Sequence, residues 1–152
     1  MLTLLLSAAL ATPSASPAPS SNAQRSLQAL ARVVTSQVAS RRFRATVAQC
    51  RDAGGTTALI LYTGARDVPR ALYWTTTPAG AGQSAAQWKF IYDEAGRLRY
   101  VQAGAGSGNG RVTAESFLNA TGQEFATPWP AGVARPLDPR ALVRGCQAGQ
   151  RP

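Results

Sequence analysis

Apolar positions first recur along the chain at helical spacing. Leu27, Leu30, Val34 and Val38 share one side of a helix predicted from about Ser21 to Ser40, while Arg25, Arg32 and Ser36 fall elsewhere on the wheel. Ser21 and Gln24 have capping-box spacing at its start. Such a helix has one stripe to bury and needs a sheet to cover. Beyond it the period falls to two. Arg42 to Cys50 alternates, which places Phe43, Ala45 and Val47 on the predicted inner face and Arg42, Arg44 and Thr46 on the other. Gly54-Gly55 interrupts the chain, and Thr57 to Thr63 is apolar on both faces, as in a central strand. Gly64 to Asp67 supplies a turn, Val68 to Thr76 returns as a strand, and Pro69 is confined to a strand end or an edge. Pro78 to Gln83 reads as a loop.

The best-specified element is a hairpin from Gln87 to Gln102. Asp93 and Gly96 take the first and fourth positions of a type I turn, and Gly96 also suits the bulge that returns the chain. The register counted outward from that turn pairs Tyr92 with Leu98, Phe90 with Tyr100 and Trp88 with Gln102 on an apolar face meant for the helix. The other face pairs Asp93 with Arg97, Ile91 with Arg99 and Lys89 with Val101. A second hairpin echoes the first: Val112 to Leu118 runs into Asn119-Ala120-Thr121-Gly122, then Gln123 to Ala126. Aligned on Gly96 and Gly122, YDEAGRL lies against LNATGQE. Between the hairpins, GAGSGNG (Gly104 to Gly110) is read as a loop, since it has neither the GxGxxG spacing before a helix nor a P-loop lysine. After Thr127 the chain is Pro-rich and irregular until Pro139, with one helical turn expected over Arg140 to Val143. The fold expected is α+β: one N-terminal helix on an antiparallel β-meander of five to seven strands, in a cystatin-like or NTF2-like arrangement, over residues 22–147.

Met1 to Ala11 is a short apolar run ending in a small-x-small pattern, read as a secretory signal although no basic residue precedes it. Thr12 to Ser21 is a Pro/Ser/Ala spacer, and residues 148–152 are read as a disordered tail. Cys50 and Cys146 form no CxxC pattern, and an even count in an exported chain predicts one disulfide between them. The compartment expected is secreted, or periplasmic within a cell envelope.

Composition removes several chemistries. The 152 residues include no histidine, the commonest general base and metal ligand. No GxSxG is present, and the cysteines are committed elsewhere, so nucleophilic catalysis lacks its parts. No Asp-rich loop offers oxygen ligands, and neither a metal nor a cofactor is implied. Seven carboxylates remain; no pair falls at a spacing that predicts a shared site, though distant ones can converge in space, for example Glu115 and Glu124, which face each other near the second hairpin as a glycosidase-like pair.

Charge points toward binding. Sixteen basic against seven acidic residues give a formal net charge of +9. Lys89 is the single lysine, and the arginines are spread along the chain in the manner of GC-rich coding, which dilutes their meaning. The dense run is Arg41, Arg42 and Arg44, which Arg97 and Arg99 extend if their strands are neighbours. This is the candidate anion-binding patch, facing an anionic envelope polymer, lipid headgroups or an envelope protein; export argues against nucleic acid. The aromatic set Trp88, Phe90, Tyr92 and Tyr100 suits a sugar-stacking platform or, in better agreement with the helix's need, a sheet core. Trp129, between two prolines, either plugs the sheet edge or faces a partner.

FIYDEAGRLRYV resembles the YD (RHS) repeat of bacterial secreted and surface proteins, through Tyr92-Asp93, Gly96-Arg97 and Leu98. Those families build a β-shell from long tandem arrays. Here there is one good copy and one degraded copy, with Leu118-Asn119 in place of Tyr-Asp, so the resemblance implies neither an array nor catalytic residues. It implies a small exported bacterial protein with YD-type hairpins, in which Asp93, Gly96, Asn119 and Gly122 are structural turn residues. The leading expectation is a noncatalytic binding module. The competing ones are a hydrolase acting on wall or glycan material through convergent carboxylates, and a structural component of a cell-surface complex.

Overall fold

A computed structural model describes residues 21–80, 82, 84–105, 112–131 and 133–149. The proposed signal, most of the spacer, the end of the tail and all but the first residues of the GAGSGNG segment lie outside them. Helix α1 (Ser21–Ala39) leads into seven strands: β1 (Arg44–Asp52), β2 (Gly55–Thr63), β3 (Pro69–Pro78), β4 (Ala86–Tyr92), β5 (Leu98–Ala105), β6 (Val112–Leu118) and β7 (Glu124–Phe125). Helix α2 (Pro139–Gln147) closes the order. The strands pair antiparallel in chain order as one seven-stranded meander, so the fold is α+β with a helix on each face of the sheet.

Helix α1 covers one face. Leu27, Ala31 and Val34 pack on Ala71, Ile91, Tyr100 and Phe117, with Leu30 and Val38 at the margins, so the predicted stripe is the stripe used. Burying Leu27 and Val34 contributes about 1.5–3 kcal/mol each. The capping-box expectation rests on the Ser21 side chain, which is outside the described residues. Helix α2 and the Pro-rich segment before it cover the other face, over Leu59, Leu61, Leu72, Phe90, Tyr92 and Leu118. That segment is stapled by hydrogen bonds: Tyr92 Oη donates to the Pro136 carbonyl at 2.8 Å and Ser116 Oγ to the Pro128 carbonyl. Trp129 stacks on Phe90, centroids 6.2 Å apart, and its indole N–H donates to the Val133 carbonyl.

The first-hairpin register departs from the expectation after one pair. Tyr92 meets Leu98, but Ile91 then meets Tyr100 and Phe90 meets Val101, because Arg99 is an extra, unpaired residue on β5. A one-residue shift exchanges the two faces of a strand. Tyr100 therefore lies under α1, while Trp88, Phe90 and Tyr92 face the opposite side with Trp74 and Trp129. The aromatic set is split between two cores and does not lie beneath the N-terminal helix. On β1 the inner face is also exchanged: Ala48 is buried and Val47 is 62% exposed. Helix α1 crosses β3 and β5 and leaves β1 uncovered on its side, whereas α2 packs on β1 from the other. Helix α2 is longer than the single turn expected. Among the described residues no helix is long and apolar enough to cross a membrane.

Candidate anion-binding site

Helix α2 is set by its first and last turns. Asp138 Oδ1 accepts the Ala141 N–H at 3.1 Å and Pro139 begins the helix, which satisfies one free donor and supplies a preset backbone angle. Near its other end Cys146 is disulfide-bonded to Cys50 of β1, with Cα atoms 5.2 Å apart. The bond fastens the helix to the edge strand. Val143 and Cys146 are buried against the sheet, and the same helical period leaves Arg140 and Arg144 exposed.

Those two arginines form one wall of a groove of about 390 Å³. Arg44 and Thr46 of β1 form the opposite wall, Thr63 of β2 and Gln147 of α2 add polar groups, and Leu61 and Val143 make the apolar floor. Asp67 stands at the rim, where its Oδ1 meets the Arg44 guanidinium at 2.8 Å. Both side chains of that pair are more than half exposed, so solvent screens it and it contributes little to stability. Arg140 and Arg144 have no acidic partner among the described residues. Three guanidinium groups thus face one carboxylate. Like charges one helical turn apart also repel, and an anion bound between them removes that cost. Planar guanidinium forks suit the two oxygens that a carboxylate, phosphate or sulfate presents.

The sequence-predicted patch divides between the edge strand β1 and the interior of the sheet order. Arg44 is in the groove. Arg41 and Arg42 lie just outside it, exposed in the link between α1 and β1, where Arg41 takes φ 55° and their N–H groups donate to the Val38 and Gln37 carbonyls. Arg97 and Arg99 belong to the β4–β5 hairpin, and β5 is four strands from β1, roughly 19 Å at ordinary strand spacing. Both are engaged by Asp93, at 2.9 and 3.1 Å, and Arg99 Nε also donates to the Leu118 carbonyl. Sequence reasoning missed Arg140 and Arg144. The available signal was their one-turn spacing just after Asp138-Pro139 and just before Cys146.

The carboxylates separate as well. Glu115 lies on the α1 side, taking the Tyr100 hydroxyl at 2.5 Å and the Gln28 amide at 3.4 Å. Burial, reinforced by that carboxylate, raises the Tyr100 phenol far above its ordinary value. Glu124 lies on the α2 side, accepting the Trp129 N–H at 2.7 Å and pairing with Arg135. The two acids stand on opposite faces of the sheet. Among the described residues no three His, Cys, Asp or Glu side chains gather as metal ligands would. Trp129 is folded inward onto Phe90 with the Arg135 guanidinium 5.1 Å over its ring. The turn residues share one geometry: Gly96 and Gly122 donate to the Asp93 and Asn119 carbonyls at positive φ. Comparison with protein families, curated proteins and solved structures finds no match to this chain.

Proposed function

We propose that the protein is an exported, noncatalytic binding module that takes an anionic group of an envelope partner in the groove between α2 and β1. The observation that carries this reading is the convergence of Arg44, Arg140 and Arg144 on one groove with a single carboxylate at its rim. The partner class is an acidic envelope polymer or anionic headgroup surface, which presents repeated oxyanions that the groove can engage one at a time. A disulfide joining β1 to α2, the two elements that wall the groove, supports an oxidising compartment. The likeness of the β4–β5 hairpin to repeats of secreted and surface proteins points the same way. Glu115 and Glu124 lie on opposite faces of the sheet, which favours the binding reading over a hydrolase built on that pair.

Chromatography on immobilised heparin, as a sulfated polyanion, tests the reading. Arg140→Ala with Arg144→Ala should elute at distinctly lower salt and bind about tenfold more weakly, the usual scale for losing a charge-assisted contact. Arg25→Ala with Arg51→Ala, remote from the groove, should shift elution much less. Equal shifts for the two pairs would reduce the interaction to net charge and remove the site.

A further inference from the structure

We infer that the cleft between α1 and the opposite face of the sheet is a second binding site, built for a short acidic saccharide. Cross-strand register carries the argument. Tyr73 of β3 partners Lys89 of β4, Lys89 partners Gln102 of β5, and Gln102 partners Glu115 of β6. These four side chains make one polar row across the sheet, roughly 14 Å long at ordinary strand spacing. The neighbouring row on the same face is Ala71, Ile91, Tyr100 and Phe117, the apolar seat of α1.

Helix α1 ties down the two ends of the polar row and leaves the middle open. At one end Tyr73 packs on the core beneath the helix, and Thr35 of α1 lines the cleft. At the other, Gln28 donates to Glu115. Between them, Lys89 and Gln102 border a cleft of about 600 Å³, within the range of small-molecule sites, with Arg32 on the helical wall. The Lys89 ammonium lies 5.4 Å from the centre of the Tyr73 ring, and neither it nor the Gln102 amide has a hydrogen-bond or ion-pair partner among the described residues. Half-burial pushes the Lys89 amine below its ordinary value, as expected of a cation that lacks a counter-ion.

The chemistry of the row selects the ligand. An oxyanion beside Lys89 and Arg32 supplies the missing charge. The Gln102 amide both donates and accepts, as neighbouring sugar hydroxyls require, and Glu115 keeps lone pairs for further hydroxyl donors. The cleft of about 600 Å³ has room for more than one sugar ring, so the fit is to a di- or trisaccharide bearing a carboxylate. This site lies on the face away from the arginine groove and stands or falls independently of it.

Titration of the full oxidised chain with digalacturonate, followed calorimetrically and by amide shifts, decides the matter. Binding should perturb Lys89, Gln102 and Tyr100, should weaken about tenfold in Lys89→Met and several-fold in Gln102→Ala, and should persist in Arg140→Ala with Arg144→Ala. Neither altered residue of the cleft supports the fold through a hydrogen bond, so both variants should keep the wild-type circular dichroism. Lactose should bind far more weakly than digalacturonate. No binding at millimolar digalacturonate, equal binding of acetate, or loss in the double arginine variant with retention in Lys89→Met would each overturn the assignment.

Discussion

Asp93 serves four donors from one side chain. Its Oδ1 accepts the N–H groups of Ala95 and Arg97, each at 3.0 Å, and its Oδ2 meets the guanidinium groups of Arg97 and Arg99. Partial burial works against its charge, but the Arg97 backbone bond and the two guanidinium groups outweigh it and hold the carboxyl below its usual value. Asn119 shows what remains without the charge: its Oδ1 accepts the N–H groups of Thr121 and Gln123 in the same pattern. Asp93→Asn should therefore keep the turn and lose the ion pairs, at about 1 kcal/mol near neutral pH, whereas Asp93→Ala loses both, at about 2 kcal/mol. A lowered carboxyl in the folded state gives stability that is present above the unfolded value, near 4, and lost as pH falls through the folded value. The gap between wild type and Asp93→Asn should accordingly narrow as pH falls through the folded value. Urea unfolding at pH 7 and at stepwise lower acid pH reads this, and a gap of constant size throughout would assign the loss to geometry.

The first hairpin is the element that the sequence specifies best, and with its weaker echo it also shows where sequence reading fails. Both turns end in a glycine at positive φ, 75° at Gly96 and 81° at Gly122, and their alignment already paired these positions. Their surroundings differ. A Cβ at Gly122 meets nothing within 4 Å, while one at Gly96 lies 3.2 Å from Val68 Cγ1 and 3.3 Å from Pro69 Cδ. Gly122→Ala should cost only the backbone strain, about 1 kcal/mol, and Gly96→Ala should cost measurably more because it also presses on the β2–β3 link. Thermal unfolding of both variants measures the difference; equal losses would mean that Val68 and Pro69 move aside freely. The turn was legible because its chemistry is local, as was the α1 stripe from Leu27 to Val38. The Arg99 bulge was not, since an arginine in an alternating run carries no mark of being unpaired; its reason is tertiary, in the reach to Asp93 and Leu118. For β1, Val47 is the more apolar residue, yet Ala48 is buried because the covering helix is on its side.

At the scale of the molecule, the sheet has two unlike faces, each with a helix and a groove, and only one of them depends on a covalent link. Cys50 and Cys146 are 96 residues apart in sequence, so their bond restricts the unfolded chain strongly, by about 4.7 kcal/mol on the chain-entropy account. It also joins Arg44 to Arg140 and Arg144 by holding α2 on β1. That convergence was illegible in the sequence: the cysteines could be paired by count, but not the arginines beside them, which charge density directed instead to Arg41 and Arg42. Helix α1 has no such tether; buried Leu27, Ala31 and Val34 hold it. Cys50→Ala with Cys146→Ala should therefore act unevenly across the fold. Amide exchange should quicken through α2 and the segment leading into it more than through α1, because nine residues packed on one side form a weak helix without an anchor. Heparin affinity should fall to that of the double arginine variant, while digalacturonate binding on the α1 face should survive wherever the sheet stays folded. Uniform exchange with parallel loss of both affinities would show that the two faces unfold as one unit and that the disulfide secures the whole domain.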